Sequence, residues 1–473
     1  VIAQLLNRRF VLDQLQLVQN ELSKATTDRR TGGEPPGVTV PQEHIALAAE
    51  ELEAARKREE TRSTGQKSYD DDPDARRGAE PPPIDDSVFI SSDPVISLLQ
   101  SSLEEYFDSR AADLVEAKPP RDDDRRDGDD FVAITDQKLA RSEVLPRRDD
   151  GRRYFDKFSE TDPGWVASLF AMGVRKFRHR HPFNDKEPET VSISDKTRLI
   201  LVGDWGTGLT RAVAVADQMR RVVEEGRKQE IEQHVIHLGD VYYSGWEREY
   251  RKRFLPHWPV DKDETGDLLT SWCLNGNHDM YCGGHAYFDF LLEDPRFARQ
   301  QRNSFFALRN DYWDIIGMDT AYDDAGLRDP QAEWIAEKLA DSKRRSMFLS
   351  HHQLFSAYEG PSVALQEKIG PYVGNRPVDV WFWGHEHRCV FYRDHQGVRN
   401  GRLIGNGGVP VYMTHPEDAE HKPPSFYEYR AFKRRLFEKW AFLGFAVVDL
   451  ENDRAKVRYI NEFGTVFQTE TLP

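Results

Sequence analysis

Five short clusters of metal-binding residue types fall in one order along the second half of the chain: Gly203-Asp204-Trp205-Gly206, Gly239-Asp240-Val241-Tyr242-Tyr243, Gly276-Asn277-His278-Asp279, His351-His352 and Gly384-His385-Glu386-His387. Each closes an apolar run. The runs at 199–202, 235–238, 272–274, 347–349 and 378–383 read as strands, and helical patterns separate several of them. One helix covers 211–225; another starts near Asp329 as N-cap and Pro330 as first helical residue, with Trp334, Ile335 and Leu339 on its apolar face. Strands alternating with helices predict an open α/β sheet, which gathers its strand ends, and with them all five clusters, along one edge. Further strands at 305–308, 312–318, 389–393, 445–450 and 456–460 predict two packed mixed sheets flanked by helices.

Clusters of this composition suit a pair of metal ions about 3.5–4 Å apart, which can hold a phosphoryl group and supply a nucleophile at neutral pH. Such a pair needs an anion that touches both ions, further hard oxygens and several neutral imidazoles. Asp240 is the candidate bridge. Gly203, Gly239, Gly276 and Gly384 let the chain turn sharply after a strand and leave room for ions beside it.

These blocks resemble the calcineurin-like metallophosphoesterases and, more narrowly, the ligand pattern of the purple acid phosphatases, over residues 196–465. The family's first block is usually Asp-x-His, and here the third position is Gly206. Purple acid phosphatases share that omission and use a tyrosine three positions after the bridging aspartate, which here is Tyr243. The resemblance therefore implies Asp204, Asp240, Tyr243 and His387 on a first metal, and Asp240, Asn277, His351 and His385 on a second. It leaves His278 off the metals, facing the scissile ester as catalytic residue. A phenolate suits Fe(III), so the implied cofactors are two metal ions, with Fe(III) partnered by Zn, Mn or Fe(II). The implied activity is hydrolysis of a phosphoric ester, monoester or diester. Asp319-Thr320 followed by Gln331 and Trp334 resembles the segment these enzymes place before their first histidine block.

Some roles stay open in the sequence. His352 and Gln353 stand where the family has an aromatic or His and then Pro, so either histidine of the pair can be the ligand; the register of Leu354, Phe355 and Ser356 favours His351. Glu386 reads either as a carboxylate that orients a ligand or as a solvated surface acid, and Asp279 as an orienter of His278 or a helix cap. Tyr242, Trp205, Trp246 and Tyr281 are the aromatics expected near the cleft.

The first half has a different character. Apolar residues recur at helical spacing in 2–24, a second helix fits 41–60, and a third, capped by Asp93, fits 94–117. Residues 57–86 and 118–153 are too charged to build a core and read as an insertion and a linker. An apolar stretch at 165–174 fits a short helix. The expected organisation is a helical extension with a charged, Pro-rich insertion (1–117), a charged linker and short helix (118–195), and a catalytic domain (196–473). A net charge of -16 argues against general nucleic-acid binding. Three cysteines, Cys273, Cys282 and Cys389, suggest neither a disulfide framework nor a zinc finger. No apolar run has the length of a membrane span and no signal-peptide pattern opens the chain, so the cytoplasm is the expected compartment. The N-terminal helices offer a surface for a protein partner. The alternative reading is a regulated, partner-binding phosphoesterase-like protein in which they control access to the site.

Overall fold

The computed structural model describes residues 8–27, 41–65, 89–116, 163–411, 424–428, 431–433 and 439–473. The chain divides into two compact units, Val1–His179 and Arg180–Pro473.

The first unit contains α1 (Arg8–Thr27), α2 (Gln42–Gly65), α3 (Pro94–Glu116) and α4 (Pro163–Arg178). Val11, Leu15, Val18 and Leu22 recur every three or four residues along α1, and all are buried. α4 packs on α1, α2 and α3 and buries Val166, Phe170, Ala171 and Val174. The Asp93 carboxylate caps α3 by accepting the N–H groups of Val95 at 2.9 Å and Ile96 at 3.3 Å, and also accepts from Arg58 at 2.7 Å. α2 continues to Gly65, through the charged stretch from Lys57 that reads as the start of an insertion. Glu53 pairs with Arg56 at 2.8 Å and Lys57 at 3.5 Å along one face, so these charges support a helix that the composition argues against. Residues 1–7, 66–88 and 118–153 of the sequence reading lie outside the described residues. No described helix is long and apolar enough to cross a membrane.

The second unit follows the predicted alternation. Its elements are β1 (Val191–Ser192), β2 (Lys196–Val202), α5 (Thr210–Lys228), β3 (Glu232–His237), β4 (Leu269–Cys273), β5 (Phe306–Arg309), β6 (Trp313–Gly317), α6 (Gln331–Leu339), β7 (Arg345–Ser350), α7 (Val363–Asn375), β8 (Val380–Trp383), β9 (Cys389–His395), β10 (Val398–Ile404), β11 (Phe426–Tyr427), β12 (Ala431–Lys433), β13 (Lys439–Ala441), β14 (Gly444–Glu451), β15 (Arg454–Asn461) and β16 (Val466–Leu472). Among the described residues, one mixed sheet has the order β16-β15-β14-β2-β3-β4 and the other β1-β5-β6-β7-β8-β10-β9-β11. Within them β2, β3 and β4 are mutually parallel, as are β6, β7 and β8.

Alternate residues of each central strand face opposite layers. Leu199 and Leu201 of β2 join Ile315, Met347, Leu349 and Phe382 in the core between the sheets. Ile200 and Val202 instead pack with Ala212, Val215, Ala216 and Met219 of α5. On the opposite side, Ile316, Phe348 and Trp381 pack with Trp334, Ile335, Leu365 and Ile369 of α6 and α7. Strands buried on both faces are continuously apolar, which is why these runs stood out; each fully buried Leu or Ile contributes about 1.5–3 kcal/mol. α6 begins at Gln331 with Pro330 as N-cap, one residue later than its sequence suggests. Gln331 then latches the end of β6: Asp319 N–H donates to its Oε1 at 2.9 Å, and its Nε2 donates to Asp319 O at 3.0 Å.

Candidate metal centre

The five clusters leave the C-terminal ends of β2, β3, β4, β7 and β8, which the two sheets bring to one edge. Three of the loops touch: a Cβ on Gly276 would stand 2.1 Å from Asp240 Oδ1, and one on Gly239, where φ is 106°, would stand 2.7 Å from His351 Nδ1. Asp204, Asp240 and His385 have φ of 56°, 79° and 72°. Such left-handed conformations cost non-glycine residues about 1–3 kcal/mol each and concentrate at functional sites.

Two largely buried groups of acceptors result. In the first, the Tyr242 hydroxyl lies 3.1 Å from Asp204 Oδ1, 3.1 Å from Asp240 Oδ2 and 3.0 Å from His387 Nε2. One phenolic proton faces three acceptors. In the second, Asn277 Oδ1 lies 2.9 Å from His351 Nε2 and 3.0 Å from His385 Nδ1. His351 Nδ1 donates to the Leu238 carbonyl at 3.0 Å, so its Nε2 presents a lone pair to the amide oxygen. Asn277 Nδ2 donates to the Tyr281 hydroxyl at 2.6 Å, which keeps Oδ1 turned toward the histidines. His351 Nε2 lies 3.5 Å from Asp240 Oδ2, so Asp240 borders both groups.

The electrostatics call for positive charge. Burial and the neighbouring Asp240 push the Asp204 carboxyl well above the usual range. Burial also raises Asp240, but His351, His278 and His385 outweigh it and leave that carboxyl lowered to about 2. Burial lowers His351 to about 4 and His387 to about 3, favouring the neutral imidazoles that metals bind. Burial opposes the charge on His385, yet Glu359, Asp240 and Asp204 raise it to about 9. Ligand atoms of Asp204, Asp240 and His351 lie within 4.8 Å of one another, as do those of His351, His352 and His385. Converging oxygens and imidazoles of this kind fit divalent or trivalent cations.

His278 sits beside these groups. Its backbone N–H donates to Asp240 Oδ1 at 2.9 Å, its Nδ1 donates to the Tyr243 carbonyl at 2.6 Å, and the rings of Tyr242 and Tyr281 flank it at 4.5 and 4.7 Å between centroids. Its Nε2 is the nitrogen left for chemistry.

Asp204, Asp240, Asn277, His278, His351, His385 and His387 thus come together. The hydroxyl bonded to Asp204, Asp240 and His387 is that of Tyr242, one position before the tyrosine singled out by the resemblance. The ring of Tyr243 faces the Arg253 guanidinium at 4.6 Å, and its N–H donates to Glu249 Oε1 at 2.7 Å. Arg253 also donates to the Tyr242 carbonyl, so Glu249 and Arg253, one helical turn apart, both hold the tyrosine loop. Trp205 lies in the helix-side core rather than at a cleft, donating to Ala212 O at 2.6 Å and packing on Phe254 and Trp258. Glu386 is buried. Glu359, which no motif marked, approaches His385 Nε2 at 3.4 Å.

The model of the calcineurin-like phosphoesterases matches residues 197–389, all within the second unit. Among solved structures, GAP50, the anchor in the inner membrane complex of Plasmodium, is similar at 14% identity and a TM-score of 0.41, over 59% of this chain and 88% of that one. A 5'-nucleotidase from Candida albicans is similar at 14% identity and a TM-score of 0.31, over 60% of this chain and 53% of that one. A Vps29 single mutant from Entamoeba histolytica is similar at 12% identity and a TM-score of 0.27, over 58% of this chain and 98% of that one. No curated protein matches the sequence.

Proposed function

We propose that this chain hydrolyses a phosphoric ester with two metal ions. The supporting observation is the convergence of oxygen and imidazole groups at one edge: Asp204, Asp240, Tyr242 and His387, where one phenolic proton serves three acceptors, and beside them Asp240, Asn277, His351 and His385. These residues would hold the ions, with Asp240 shared and iron, zinc or manganese compatible with the donors. When bound, such a pair supplies Lewis acidity toward the phosphoryl oxygens and a nucleophile at neutral pH.

The chain's own residues do the rest. The Tyr243 carbonyl fixes the His278 ring through Nδ1; in the imidazolium form the Nε2–H gives its proton to the leaving oxygen, and the ring returns to the neutral form that burial favours. Tyr281 orients Asn277, and Leu238 O orients His351. Metal content of purified protein, read with a panel of phosphomonoesters and phosphodiesters, tests the reading. Asp240→Asn and His385→Ala lose metal together with activity; unchanged metal in both sinks the assignment.

A further inference from the structure

We propose that His352 is an additional donor at the metal position formed by Asn277, His351 and His385; this rests on the hydrolase reading above. Consecutive residues of an extended strand point to opposite faces, so a histidine following a ligand histidine ordinarily looks away from the ion. Here β7 ends at Ser350, and the Ser350 hydroxyl donates to the His352 carbonyl at 2.8 Å, bending the chain as the pair begins. The two imidazoles stay together. Ring centroids are 4.9 Å apart for His351 and His352 and 4.6 Å for His352 and His385, closer than the 5.2 Å between His351 and His385. One nitrogen of each lies within 4.8 Å of the others.

The surroundings of His352 are those of a held ligand. It is 2% exposed, and Thr320 contacts it twice: the Thr320 hydroxyl accepts the His352 backbone N–H at 3.0 Å and lies 3.2 Å from Nδ1. A hydroxyl oxygen has two lone pairs. With the second taking Nδ1–H, Nε2 is left as the donor, the arrangement by which partners on the far nitrogen orient metal-bound histidines. Thr320 is itself positioned by the neighbouring Asp319–Gln331 latch. Three imidazoles give this position a preference for zinc and similar late divalent ions, whereas Asp204, Asp240 and Tyr242 make the other the harder, oxygen-rich one.

The test loads the full chain with zinc, measures affinity by competition with a chelator, and counts imidazole ligands by X-ray absorption. We expect two zinc ions in wild type, at least about 100-fold weaker binding of one in His352→Asn with one imidazole fewer, and about 10–100-fold weakening in Thr320→Val, which removes only the positioning hydroxyl. Circular dichroism shows whether each variant is folded, and should His352→Asn not fold, Thr320→Val decides. Two zinc ions bound by folded His352→Asn, or by Thr320→Val in that case, with wild-type affinity and ligand count overturn the inference and leave the hydrolase reading standing. A wild-type chain with no metal affinity overturns both.

Discussion

Asp279 accepts the backbone N–H of Asp240 at 2.8 Å through Oδ2, the oxygen that also takes the N–H of Gly276 at 2.7 Å. Its Oδ1 accepts from Val241 N–H at 3.2 Å and from the Tyr250 hydroxyl. One buried carboxylate therefore caps the turn at Asn277 and staples it to the loop of Asp240. In Asp279→Ala three buried N–H donors lose their acceptor, at about 1–3 kcal/mol each. We expect the urea midpoint to fall by an amount equivalent to roughly 3–9 kcal/mol, with metal affinity falling too. A variant with wild-type stability would remove the staple from the account.

The staple illustrates what sequence can and cannot disclose. Strand-end clusters were legible because β2, β3 and β7 are buried on both faces and carry short apolar stretches, such as Leu199 to Val202 and Met347 to Leu349, just ahead of the clusters. Asp279 was ambiguous because three of its partners are backbone N–H groups, identical at every residue, and the one of Asp240 lies 39 positions away. Nothing in the letters Asp204, Asp240 or His385 signals a positive φ, since only glycine advertises that freedom. The choice between Tyr242 and Tyr243 depends on how one loop is held, and its holders, Glu249 and Arg253, lie in a helical segment that carries no ligand itself. α2 outran its predicted end for a similar reason, its charges being paired along the helix.

His278 contacts the Asp240 carboxylate through its backbone N–H, and that bond survives loss of the ring. His278→Ala should therefore keep its metal while kcat falls by about 10²–10⁴. Because the proposed role is protonation of the leaving oxygen, the deficit should grow with leaving-group basicity. Equal deficits for activated aryl esters and alkyl esters count against the proton-transfer role, and loss of metal counts against its off-metal position.

Asp319 is buried, and burial raises its carboxyl from 3.8 to about 6 despite bonds from the N–H groups of Ala321 at 3.1 Å and Tyr322 at 2.9 Å. A folded pKa above the unfolded one gives stability that is fully present below the unfolded value and is lost as pH rises through the folded one. Asn keeps the acceptor and never ionises. Relative to wild type, metal-free Asp319→Asn should gain about 3 kcal/mol between pH 3.5 and pH 7.5, most of it between pH 4 and 6. Parallel urea-derived stability profiles for the two proteins across that window would contradict the raised carboxyl.

Tyr242 and Tyr243 can be told apart by the colour of an iron-loaded protein. The phenol shared by Asp204 Oδ1, Asp240 Oδ2 and His387 Nε2 belongs to Tyr242, whereas the spacing of the purple acid phosphatase pattern points to Tyr243. A phenolate on Fe(III) absorbs visible light by charge transfer, so oxidised protein purified with iron should be coloured, and colour reports which ring is the donor. We expect Tyr242→Phe to lose the band and one metal ion per chain, because three acceptors are left without their phenol. Tyr243→Phe should keep both, since its ring packs on Arg253 and its backbone N–H still reaches Glu249. The reverse pattern returns the ligand role to Tyr243 and means that the loop rearranges when metal binds. Active, colourless, iron-free protein whose Tyr242→Phe variant keeps its full metal content removes iron and the phenolate ligand together, and leaves the carboxylates and imidazoles as the whole of the metal centre.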